Sequence, residues 1–132
     1  MIERAKPSTV HFALTPAPEF LPTLKVAVSR LAEQAGVEET HRFNLQQAVA
    51  QACRRALEKG AQEAGAELRM TVSRLSDRLE IVVEGGKDAS KTTEADLFLL
   101  NQLLDQVIVE ETAEGKHRLT LVKYFTRVGS QP

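Results

Sequence analysis

The chain has 132 residues, with 17 Lys+Arg against 18 Asp+Glu and a formal charge of −1; it is long enough for one domain to bury its own core. The balanced charge, the lack of a polybasic block and an aromatic content of 5% argue against a nucleic-acid binder. The opening MIERAKPSTVHF lacks the apolar run of a signal peptide, no segment is long and apolar enough to span a membrane, and the single cysteine, Cys53, allows no intrachain disulfide, so the expected setting is the reducing cytoplasm.

Val10, Phe12 and Leu14 alternate with Thr9, His11 and Ala13, which predicts a strand that Pro16 and Pro18 end. Leu21, Leu24, Val28, Leu31 and Ala35 recur at steps of three and four, which predicts an amphipathic helix from Phe20 to Ala35 with Gly36 at its C-terminal cap. A second helix is expected from Glu39 to Lys59, with Leu45, Ala48, Val49, Ala52, Ala56 and Leu57 inward and Gly60 able to end it. Leu68, Met70 and Val72 alternate in one strand and Leu79, Ile81 and Val83 in the next, with Ser76-Asp77 as the hairpin turn. Residues 85–91, GGKDASK, read as a loop. Thr92 or Thr93 can cap a third helix through Leu104, where Glu94 and Asp96 suit the positive helix start. Strands from Gln106 to Glu111 and from Arg118 to Tyr124 follow, joined by a turn at Glu114-Gly115-Lys116, and VGSQP reads as a frayed tail.

This order predicts an α+β fold. It would be a two-layer sandwich, with a mixed, mostly antiparallel five-stranded sheet and three helices on one face. Residues 1–132 form one domain, with its core at 7–125 and a flexible tail at 126–132. The open sheet face would carry Arg69, Thr71, Ser73, Glu80, Arg118 and Thr120, with Val82, Ile108 and Val122 among them. Scattered apolar residues are ordinary on a solvated face, and they also suit a partner surface.

The stretch from Phe43 to Gly60, FNLQQAVAQACRRALEKG, resembles the first sequence box of the GHKL (Bergerat-fold) ATPases, in the short form of the anti-sigma-factor serine kinases. Ala48, Val49, Ala52, Ala56 and Leu57 match the scaffold of that box. Residues 79–86, LEIVVEGG, are similar to the family's apolar strand ending in Asp-x-Gly-x-Gly. Residues 97–107, LFLLNQLLDQV, are similar to the helix after the family's Gly-x-Gly box, and residues 117–124, HRLTLVKY, fit its closing strand. The resemblance spans nearly the whole chain and implies the histidine kinase-like ATPase fold.

The departures fall on functional positions. The family's helix carries a Glu acting as base, an Asn ligating Mg²⁺, and often His-Gly; here those positions read Gln51, Arg55 and Lys59-Gly60. An amide is no base near neutral pH, and a guanidinium has only donors and cannot ligate a hard cation. The family Asp that accepts from adenine corresponds to Glu84. Gly86 is kept, and the next glycine corresponds to Asp88. The phosphate-cradling glycines correspond to Glu94 and Asp96, whose carboxylates repel polyphosphate. One like-charge pair at ~4 Å costs about 4 kcal/mol at a surface-like dielectric before salt screening. The segment between Glu84 and the third helix is also short for the family's ATP lid. Gln51, Arg55, Lys59, Glu84, Gly86, Asp88, Glu94 and Asp96 thus mark a relic nucleotide cleft, with no catalytic residue and no cofactor expected.

The implied function is non-catalytic regulation of the anti-sigma-factor type. The partner would be a sigma factor, an antagonist protein of the sulphate-transporter-and-antagonist type, or a second copy in a homodimer. The resemblance places the partner surface on the first helix at Lys25, Ser29, Arg30 and Glu33, beside the strand from Thr9 to Leu14. Two alternatives stay open: an active serine kinase using another carboxylate such as Glu58, and a cleft reused for a cationic small ligand. Gln47, Gln51, Arg55 and Lys59 form a polar ridge that fits either a solvated face or the cleft wall, where Arg55 would pair with Glu84, Asp88 or Asp96. His11, His41 and His117 lie on three elements without ligand spacing, so no metal site is expected. Cys53 reads as a packing residue with no neighbouring His to activate it.

Overall fold

Alternating apolar residues build four of the five strands, the fourth in chain order carrying a run of three instead, and three- and four-residue apolar spacing builds the first two helices. The computed structural model describes residues 8–60, 67–85, 93–111 and 117–125, except the side chains of residues 55, 56, 58–60 and 117. The elements are β1 (Ser8–Leu14), α1 (Leu21–Gln34), α2 (Glu39–Gly60), β2 (Leu68–Arg74), β3 (Arg78–Glu84), α3 (Glu94–Leu103), β4 (Gln106–Glu111) and β5 (His117–Tyr124). The expected first helix is shorter than its apolar spacing suggested. Pro18–Phe20 forms a separate 3-10 turn, and Pro22 sits in the first turn of α1, where its missing N–H costs nothing. The expected core at 7–125 and tail at 126–132 fall partly outside the described residues.

The helix ends follow from single residues. α1 stops at a Schellman motif: Gly36 has φ +86°, its N–H donates to Glu33 O, and Val37 N–H donates to Ala32 O, each at 3.0 Å. The buried Val37 and Ala32 supply the apolar contact that accompanies such a cap. Of the two threonines that could cap α3, Thr93 does so. Its hydroxyl accepts from Asp96 N–H, and Asp96 Oδ2 accepts from Thr93 N–H, both at 3.1 Å. This reciprocal box satisfies two helix-end donors. The β2–β3 turn at Ser76-Asp77 is closed by Leu75 N–H donating to Arg78 O.

The strand order is β1-β2-β3-β5-β4, and all four pairings are antiparallel, where a mixed sheet was expected. Register aligns Phe12 with Met70, Met70 with Val83 and Val83 with Leu119. Because side chains alternate, these residues share one face with Val72, Ile81 and Leu121. That face forms one core with Leu24 and Val28 of α1, Leu45, Val49, Cys53 and Leu57 of α2, and Leu100 of α3. The domain is therefore an α+β sandwich of an open sheet and a helical layer.

The opposite sheet face has no helix in the described core. It carries Arg69, Thr71, Ser73, Glu80, Arg118 and Thr120, as expected, together with His11 and Glu84, which the sequence reading had not placed there. His11 Nδ1 lies 3.2 Å from Thr71 Oγ1, and Thr9 Oγ1 lies 3.3 Å from Ser73 Oγ. Of the apolar residues expected there, Ile108 is exposed, Val82 half-buried and Val122 buried. Lys123 faces the core side instead, almost fully buried, with Nζ 3.8 Å from Asp105 Oδ2.

Candidate functional site

α2 and α3 pack side by side, and a polar contact joins them. Gln51 Nε2 donates to Asp96 Oδ1 at 2.7 Å. The other oxygen of Asp96 holds the Thr93 N–H at the start of α3. The two positions that the resemblance would assign to a lost base and a lost phosphate cradle therefore meet, and they bond to each other. A carboxylate held by an amide and a backbone N–H binds protein donors, not phosphate oxygens.

Glu84 stands apart from this contact. The alternation that buries Leu79, Ile81 and Val83 turns Glu84 to the open sheet face, where its register partners are Arg69 and Arg118. Its Oε2 lies 3.3 Å from Arg118 Nη2. It does not line a cleft with Gln51, contrary to the placement drawn from the resemblance. Arg118, its partner, was expected on that face, solvated or part of a partner surface; the opposite charge across adjacent strands was the available signal for the pair. Glu94 is exposed in the first turn of α3. Arg55 and Lys59 lie on α2, but their side chains, with Gly86 and Asp88, lie outside the described residues. So does any pairing of Arg55.

The α1 surface is divided. Leu24, Val28 and Ala32 are buried against α2 and the sheet, Arg30 and Glu33 are exposed, and Lys25 and Ser29 are half-buried. Val26, which the sequence reading passed over, is 62% exposed in the middle of this face. β1 lies at one end of the sheet and, among the described residues, pairs only with β2, so it is an edge strand there. β4 occupies the other end.

Cys53 is buried in α2, and burial pushes its thiol from 9.0 up to about 12. It is a packing group, since a reactive cysteine needs a lowered pKa and access. Among the described residues, no group of three His, Cys, Asp or Glu could hold a metal ion. No helix in the described residues is long and apolar enough to cross a membrane. Two small hollows among the described residues, of about 30 and 80 Å³, open on the surface. One lies between Val10, Leu31 and Arg74, the other between Pro18, Leu21, Arg54 and Leu57. Both fall below the roughly 300–1,000 Å³ of small-molecule sites, and neither is lined by Gln51 or Asp96.

No protein-family model matches the chain, and no curated protein matches it. What the arrangement offers chemically is therefore read from its own residues. Among the described residues it has an amide–carboxylate bond between α2 and α3, a mixed polar and apolar α1 face, and end strands β1 and β4 with one open edge each.

Proposed function

We propose that this chain is a non-catalytic regulatory protein of the anti-sigma-factor type, acting in the cytoplasm by binding a protein partner, with the ATP chemistry of the fold it resembles given up. The observation that carries this reading is the 2.7 Å bond between Gln51 and Asp96. A working site would need a base at the first position and an open phosphate cradle near the second. Here the first is an amide, and the second is a carboxylate engaged with protein on both oxygens. The partner is a sigma factor or an antagonist protein. It docks on α1 at Lys25, Ser29, Arg30 and Glu33, around the exposed Val26, with the adjoining edge of β1.

Two measurements test the reading. Calorimetry with ATP and Mg²⁺ at low salt is expected to show no affinity tighter than about millimolar, ~4 kcal/mol. A micromolar constant would sink the non-catalytic reading. Binding to purified sigma factors and antagonist proteins encoded in the same genome is expected to fall with Lys25→Glu and Arg30→Glu. Partner binding that survives both changes and is lost with Val82→Asp would move the surface to the open sheet face.

A further inference from the structure

Four of the eight large apolar side chains exposed on the described surface come from the consecutive elements α3 and β4. They are Phe98 and Leu99 at 64% and 47%, and Ile108 and Val109 at 39% and 43% exposure. Among the described residues, β4 is also the end strand of the sheet and pairs only with β5. Ile108 projects to the open sheet face and Val109 to the helix face, because their register partners are Thr120 and the buried Leu119. An edge strand exposing apolar groups on both faces is a template for another strand.

The order of residues in β4 selects what that strand is. We propose that two copies of this chain pair β4 with β4, antiparallel, about a two-fold axis through Ile108 and perpendicular to the sheet. This register sets Ile108 against Ile108 and Val107 against Val109. It sets Gln106, a neutral amide, against the Glu110 carboxylate. Neighbouring registers with the same symmetry are worse. Centring on Val109 would place Ile108 against Glu110 and Val107 against Glu111; centring on Val107 would place Gln106 against Ile108. The acidic end of β4 thus excludes alternatives and leaves one self-complementary alignment.

Beyond the strand, Asp105 would approach Glu111 of the other copy. Asp105 is already turned onto its own chain, accepting from Tyr124 N–H at 2.7 Å and lying 3.8 Å from Lys123 Nζ. A strand edge alone is smaller than the ~800 Å² per partner of a stable interface. The axis keeps both helical layers on one side, so Phe98 of α3 adds apolar surface there. This pairing does not depend on the function proposed above, and it leaves α1 and β1 free for a different protein.

Sedimentation equilibrium of the whole chain across a wide concentration range tests the pairing, with circular dichroism confirming that each variant is folded. The wild-type chain is expected to show a reversible monomer–dimer equilibrium. Gln106→Glu sets a second carboxylate opposite Glu110 at two symmetric places and should weaken the dimer about fivefold. Adding Glu110→Lys to that variant turns both repulsions into attractions and should restore it. Ile108→Asp brings two carboxylates together on the axis and should leave monomer only. A wild-type chain that stays monomeric at all concentrations overturns the proposal. So does a dimer that survives Gln106→Glu and Ile108→Asp, or one lost instead with Arg30→Glu. Failure of the double variant to recover overturns the register.

Discussion

Cys53 shows how one buried side chain sets a pH limit. Its folded pKa of about 12 lies above the ordinary value of 9.0. Below pH 9 the thiol is neutral in both states, so the stabilisation from its burial is complete. As pH rises from 9 toward 12 the unfolded chain releases this proton and the folded chain keeps it. Stability should therefore fall, by up to about 1.4 kcal/mol per pH unit from this group, and the contribution is lost as pH passes the folded value. Urea unfolding of the wild type and Cys53→Ala across that range should diverge by this slope; parallel curves would place the thiol elsewhere. The same thiol should ignore a disulfide reagent until the protein unfolds. Gln51→Ala should cost about 1 kcal/mol by removing the bond to Asp96, measured as a shift in urea midpoint. The resemblance put Gln51 and Asp96 in one cleft, but their direct bond was not legible, since it depends on how α2 and α3 pack. Glu84 is the opposite case. Its place opposite the helices was legible in the alternation of Leu79, Ile81 and Val83, and only the resemblance pointed the other way.

At the scale of elements, caps and alternation carried most of the information. Gly36 was readable as the end of α1, and its φ of +86° explains why glycine stands there. A Cβ at this position would meet nothing within 4 Å, so Gly36→Ala tests backbone conformation alone. It should cost roughly 1–2 kcal/mol, the left-handed penalty for a side chain, with Gly36→Asn cheaper; thermal unfolding distinguishes the two. Thr93→Ala should cost about 1 kcal/mol by removing the α3 cap, which Thr92→Ala would leave in place, because Thr93 fills it. The sequence left those threonines equivalent, since either precedes the acidic residues that suit a helix start. The 3-10 turn before α1 was also hidden. Apolar spacing at Phe20 and Leu21 runs through it, and the break arises from local hydrogen bonding, with Phe20 N–H donating to Ala17 O.

For the whole molecule, the two-layer arrangement was legible because β1, β2, β3 and β5 turn an apolar row toward the helices and α1 and α2 each carry an apolar stripe. The order of strands was not, because periodicity says which face is buried and nothing about which neighbour lies alongside. Leu121 illustrates the cost of disturbing that centre. It is fully buried and aligned with both Ile81 and Val107, so Leu121→Ala should destabilise by about 2–5 kcal/mol in denaturant titration. The strand that holds it has a further consequence. β5 lies between β3 and β4 but follows both in the chain. During synthesis β1, β2 and β3 can zip into a meander as they leave the ribosome. β4 emerges next and has nothing to pair with until β5 threads in beside it. A nascent chain stalled after Glu111 would thus expose two raw edges, that of β3 and the apolar β4, to neighbouring chains and chaperones.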